Sequence, residues 1–158
     1  MVASTNAEKA TALAESFFPP PPQSPSIPHS AYSKPLVDTL YFTREHISAA
    51  IGSLLPLKAL GPDGIPNIVL KKCAKALLDH LYYIFWAVFE LDVYHLSWLE
   101  STTLVLCKLK KPAYNVAKAY RPIGLFNTIG KLLSTLVASD LSHIAKQNGM
   151  LPLGQFSG

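Results

Sequence analysis

Charge is scarce in this sequence: Asp, Glu, Lys and Arg make up 15% of its 158 residues, against roughly 25% in an ordinary soluble domain. Cysteine is scarcer still. Cys73 and Cys107 are the only two, and no CxxC or CxxH spacing surrounds either. That excludes a disulfide framework and a zinc site, and makes a reducing compartment the default. Both cysteines are expected as small core residues. Long apolar runs are missing as well. The best, LYYIFWAVF at residues 81–89, is nine residues long, where a membrane-spanning helix needs roughly 20. The first eighteen residues carry Glu8, Lys9 and Glu15 and so lack the apolar centre of a signal peptide. A chain that is not inserted in a membrane is expected.

Catalytic groupings are equally thin. The five histidines (His29, His46, His80, His95 and His143) show no metal-ligand spacing. Glu90 and Asp92 are the closest carboxylate pair, but they stand at a helix end where solvation is the plainer reading. Gly124 and Gly130-Lys131 imitate a P-loop, yet five residues separate the glycines instead of four, and Leu132 follows the lysine where Ser or Thr is required. No Ser-His-Asp or Cys-His set is present. The sequence offers no catalytic residue and no metal ligand set.

Acid is absent from one long interval. Between Glu100 and Asp140 there is no Asp or Glu, while Lys108, Lys110, Lys111, Lys118, Arg121 and Lys131 all fall there, six of the fourteen basic residues. Net charge is +4. A basic stripe on a weakly charged chain is the footprint of a phosphate-rich partner.

What the chain has in quantity is apolar material, 49%, and proline, of which seven of thirteen lie between Pro19 and Pro35. Residues 1–40 read as a Pro-rich linker, disordered and of polyproline II character, with a short helix over AEKATALAESFF before the proline run. The folded part is expected over 41–158. In TREHISAAIGSLL, Ile47, Ala50, Ile51, Leu54 and Leu55 share one helical face, with Thr43 as N-cap and Pro56 as stop. GPDG at 61–64 is a turn in which Asp63 can bond its own backbone. Pro66 suits the first position of a second helix, with a break near Asp79. From Leu77 to Leu91 this helix is apolar nearly all round, so it should be buried on several sides, or expose an apolar patch if its partners are missing. STTLVLCKL and YRPIGLF read as two strands of a hairpin joined by the polar loop KKPAYNVAKA. Asn127 is the expected N-cap of a last helix that Gly149 ends. The fold class is α+β.

If the two strands pair, Lys108 comes close to Arg121. Facing cations cost free energy unless an anion sits between them. A triphosphate or a nucleic-acid backbone would serve, with the guanidinium as a bidentate fork and the lysine as a point charge. The bland alternative is that both snorkel into solvent from a sheet edge. The residues alone leave the two even.

KALGPDGIPNIVLKKC, VLCKLKKPAYNVAKAYRPIGLFNTIGKLLS and GMLPLGQFSG, in this order, resemble the reverse transcriptase of non-LTR (LINE-type) retrotransposons, with fungal elements the nearest likeness. The resemblance runs from about residue 17 to 158. It implies the N-terminal extension and fingers of a right-hand RNA-directed DNA polymerase, an intracellular enzyme (nuclear or cytoplasmic) working on an RNA or DNA template-primer and dNTPs. It implies that Arg121 and Lys108 grip the incoming nucleotide's triphosphate, and that Lys110, Lys111, Lys118 and Lys131 are candidates for template or phosphate contacts. The family's metal-binding aspartates, which hold Mg2+, find no match, so no metal is expected in this chain and no activity from it alone. The family pattern usually has arginine at Cys107, proline at Leu60, Leu109 and Ala117, glycine at Lys110 and Ser157, aspartate at Ala113 and arginine at Asp140. These departures are those of a decaying copy. Two other readings stand beside this one: a non-catalytic nucleic-acid-binding remnant, and a helical interaction module.

Overall fold

A computed structural model describes residues 5–22 and 43–150. Most of the proline run and the LPLGQFSG segment lie outside the described residues, so the linker reading and the last motif of the resemblance do too. The described residues hold five α-helices, a short 3-10 turn and one two-stranded sheet. They divide into two units: residues 5–22 with 103–123, and residues 43–102 with 124–150.

The second unit is a helical core built from three amphipathic faces. Helix α2 (Arg44–Ser53) starts where Thr43 accepts a hydrogen bond from the His46 amide at 3.3 Å. Its Ile47 and Ile51 are fully buried. The α2 C-terminus, whose last carbonyls have no partner inside the helix, is closed from outside. Lys71 of α3 donates to the carbonyls of Gly52 (2.5 Å) and Leu54 (2.9 Å), and Asn67 Nδ2 donates to Leu55 O at 2.8 Å.

Helix α3 (Asn67–Glu90) runs unbroken for 24 residues, so the expected interruption at Asp79 is not there; Pro66 sits one position outside the helix, as its N-cap. Asp79 points outward and pairs with Arg44 of α2 at 2.5 Å, while the Arg44 guanidinium lies 4.0 Å from the centre of the Tyr82 ring. Leu70, Leu81 and Phe85 bury one face of α3 against α2 and α5. Much of the remaining helix surface is uncovered: Tyr83 is 61% exposed, and Ile84, Trp86 and Phe89 are exposed as well. The all-round apolar segment therefore has a single buried side and shows the apolar patch that is the alternative to full burial. Helix α3 ends in a Schellman closure, Val93 N donating to Val88 O and Asp92 N to Phe89 O, with Asp92 at φ 50 in the left-handed position. Among the described residues, no helix is long and apolar enough to cross a membrane.

Helix α4 (Leu96–Leu99) is a single turn that seats Trp98 edge-on to Phe85 and Tyr94, with ring centres 6.3 and 5.5 Å apart. Helix α5 (Thr128–Gln147) contributes Leu132, Leu133 and Leu136 to the core and ends in a second Schellman closure at Gly149. Cys73 and Cys107 are exposed rather than core residues. Cys73 falls on the outer side of α3, and Cys107 ends a strand whose residues are all exposed.

Facing α2, Asp140 of α5 is the one described residue with a buried side-chain oxygen (Oδ2) that has no hydrogen-bond partner. Burial pushes its carboxyl above the usual carboxylate range, opposed by the positive charge that His46 and His143 can carry. The folded state then holds this proton more tightly than the unfolded chain. The corresponding stability is present in acid, below the ordinary carboxylate range, and is lost as pH rises through the raised folded value. Asp140→Asn is expected to raise the Tm modestly at neutral pH and to change little in acid. A lower Tm for the variant at neutral pH would show that attraction to the histidines outweighs burial.

Candidate nucleic-acid interface

The hairpin consists of β1 (Ser101–Cys107) and β2 (Tyr120–Phe126), with the 3-10 turn Ala117–Ala119 leading into β2. Leu104, Val105, Leu106 and Ile123 are all exposed, and among the described residues the sheet has two strands. A two-stranded ribbon alone is marginal in water, so its tip needs other fasteners. They come from the loop itself. Lys108 N donates to Ala119 O at 2.8 Å and closes the strands. Tyr114 Oη donates to Lys108 O at 2.9 Å, and Tyr120 Oη to Tyr114 O at 2.8 Å. The two tyrosine rings meet edge to face at 6.1 Å. Lys108 Nζ donates to Lys118 O at 2.9 Å.

This loop brings Lys108, Lys118 and Arg121 to one open groove of about 540 Å³, whose other walls include Tyr120 and Pro122 of β2 and Ser16 and Phe17 of helix α1 (Asn6–Phe17). Helix α1 begins with a capping box: Thr5 accepts from Glu8 N while Glu8 accepts from Thr5 N, both at 3.2 Å. Lys108 spends one of its three donors on the Lys118 carbonyl, and that bond holds the half-buried ammonium without a carboxylate. Arg121 is exposed, and among the described residues it has no ion-pair partner. Pro122 suits the extended backbone at Arg121, because proline disfavours the helical region for the residue before it.

The other candidate cations are dispersed. Lys110 and Lys111 are exposed at the loop's start. Lys110 has φ 59, a left-handed conformation that L side chains adopt at a cost and glycine does not. Glycine is the residue such a turn favours. Lys131 lies half-buried on α5 in the other unit, apart from the groove residues in sequence and in unit. Among the described residues, no group of three His, Cys, Asp or Glu could hold a metal ion.

The base of β2 is held by contacts that residue-by-residue reading does not reveal. Asn127 occupies the N-cap position of α5, but its side chain makes no cap bond. Its Nδ2 donates to Ser97 O, and its Oδ1 accepts from Asp63 N at 2.9 Å. The cap is supplied instead by Asp63, whose Oδ2 accepts from Thr128 N at 2.8 Å while its Oδ1 accepts from Ile65 N at 3.2 Å. Thr128 Oγ1 then donates to Ile65 O at 2.8 Å. The GPDG turn, itself closed by Gly64 N donating to Gly61 O at 3.1 Å, is thus clasped to the junction where β2 becomes α5. A hint was available: Asp and Asn are both strong caps, and each motif held one.

The chain shows distant, partial similarity to a class of proteins, the reverse transcriptases of non-LTR retrotransposons. It is 31% identical over 112 residues to the probable RNA-directed DNA polymerase from transposon BS of Drosophila melanogaster, covering 71% of this chain and 12% of that protein. It is 30% identical over 99 residues to the probable RNA-directed DNA polymerase from transposon X-element of the same fly (63% and 11%), and 25% over 114 residues to the RNA-directed DNA polymerase from mobile element jockey (72% and 12%). The chain thus spans only a small fraction of the curated relatives it matches. No protein-family model matches it.

Proposed function

We propose that the chain is the N-terminal extension and fingers of a LINE-type RNA-directed DNA polymerase, nearest to fungal elements, whose hairpin groove takes the triphosphate of an incoming nucleotide. The observation that supports this best is the convergence of Lys108, Lys118 and Arg121 on one groove in a stretch with no carboxylate. Arg121 offers a planar fork to two phosphate oxygens, and Lys108 offers its remaining donors as a point charge. The role is grip, not chemistry. Phosphoryl transfer in this family relies on divalent metal ions, and the hairpin's residues do not fit a metal site, having no carboxylate to coordinate one. No step is assigned to this chain beyond binding and orienting.

The test is calorimetric titration of the protein with a dNTP, beside a primer-extension assay with Mg2+. Binding is expected to weaken on the order of tenfold in Arg121→Ala, with Arg121→Lys in between because the fork is lost and the charge kept, and no extension product is expected. Equal affinity in wild type and Arg121→Ala would overturn the assignment.

A further inference from the structure

Helix α3 carries on its open side a row of residues that the hairpin groove does not use. Lys72, Ala76, Asp79, Tyr83, Trp86 and Glu90 follow one another at alternating intervals of four and three residues, and all are exposed. That alternation keeps the side chains on a single stripe, the seam along which two helices pack side by side. The stripe runs about 27 Å along the axis, at roughly 1.5 Å per residue. Tyr83 and Trp86, 61% and 43% exposed, put two aromatic rings into its second half. Exposed apolar surface gathered in this way marks a contact face.

The order of the row identifies what fits it. Intervals of four, three, four, three and four read the same from either end, so a second copy of α3 laid in the opposite direction presents the same seam. With a two-fold axis passing near residue 81, Lys72 meets Glu90 of the second copy, Ala76 meets its Trp86, and Asp79 meets its Tyr83. Each meeting occurs twice, as a two-fold contact requires. Opposite charges pair at both ends, and a large ring fills the space over a methyl group. In the remaining layer the Tyr83 hydroxyl, a donor, stands against the Asp79 carboxylate. Arg44 already holds that carboxylate in place at 2.5 Å. A parallel copy in register would instead set lysine on lysine, aspartate on aspartate and glutamate on glutamate, and like charges face to face oppose association. We infer that the open face of α3 is a homodimer surface, on which α3 of a second copy packs antiparallel. The inference is independent of the triphosphate grip, whose residues lie on the hairpin and its loop.

One helix face per copy is a small interface, of the size that gives weak and reversible association. The experiment is sedimentation velocity of the full chain over a concentration series around the expected dissociation constant, on the order of 10 μM. A monomer–dimer equilibrium is expected. Lys72→Glu and Glu90→Lys should each weaken it on the order of tenfold, because each turns two opposite-charge contacts into like-charge ones. The double variant Lys72→Glu/Glu90→Lys re-pairs the charges across the seam and should return to the wild-type constant. Trp86→Ala removes the largest contact and should weaken the dimer at least as much as either charge reversal. A monomer at all concentrations, or growth into large species without a dimer plateau, would overturn the inference. So would single reversals without effect, since a parallel pair keeps like against like in every variant. A double variant as weak as the singles would overturn it too, because the two residues would then not face each other.

Discussion

Gly61→Ala is expected to destabilise the folded protein by about 3 kcal/mol or more, one of the largest effects of any single methyl group in this chain. A Cβ on residue 61 would lie 2.2 Å from Phe126 O, 2.6 Å from Phe126 C and 2.8 Å from Asn127 N. All three neighbours are backbone, so no side chain can swing aside. Relief requires moving either the GPDG turn or the end of β2, and the clasp between Asp63, Asn127 and Thr128 resists both. Gly52 provides the control. It lies in α2, and a Cβ there would meet nothing within 4 Å. Gly52→Ala is expected to stabilise by about 0.5–1 kcal/mol, because glycine costs helix stability. Urea unfolding of the two variants should move the midpoint in opposite directions. Similar midpoints would mean that the close approach at Gly61 is not a real constraint.

The second large effect is expected at Asp63. Its carboxylate serves two amides, those of Ile65 and Thr128. Asp63→Ala leaves both without an acceptor beside the buried Asn127 and Thr128. Loss of an N-cap costs about 0.5–2 kcal/mol, and each unsatisfied partly buried donor adds to that, for a total of about 2–4 kcal/mol. Asp63→Asn retains one acceptor oxygen and should fall between wild type and Asp63→Ala. A negative charge at a helix N-terminus is itself favourable, so the asparagine should not restore the whole effect. Hydrogen exchange can separate the two bonds: Asp63→Ala should lose protection at both Ile65 and Thr128. Unchanged protection at Thr128 would show that α5 is capped by something else.

Local signals in the sequence were legible where one element decides its own form. The apolar spacing of α2, the cap at Thr43, the β-branched runs of the hairpin, the Asx bond of Asp63 and the stop at Gly149 are all properties of a few neighbouring residues. Partner-dependent features were not legible. Asp79 resembles an interruption until Arg44 is known to reach it. Cys73 and Cys107 resemble core residues until it is known which faces remain uncovered. Asn127 has the residue type and place of an N-cap, yet its side chain is drawn to Ser97 and Asp63, and the cap arrives from elsewhere. The same holds at the hairpin. The nearness of Lys108 and Arg121 followed from strand pairing alone, whereas the bond from Lys108 to Lys118 O and the tyrosine anchors depend on the path of the loop.

The clasp also bears on the order in which the chain acquires its structure. Asp63 and Thr128 are 65 residues apart, so the first turn of α5 receives its cap only after a long loop has closed. Closing that loop carries an entropic cost that rises slowly with length, and contacts of this separation slow the search for the native state. On a ribosome, α2 and α3 can pair as soon as both have emerged, since they are close in sequence. The GPDG turn and the bond from Ile65 N to Asp63 are local, but the other oxygen of Asp63 stays solvated until residue 128 arrives. During that interval the apolar face of α3 that will meet α5 is open to solvent, together with the face that stays open afterwards. The long-range half of this corner is therefore expected to form late, a timing imposed by one aspartate serving a helix synthesised long after it.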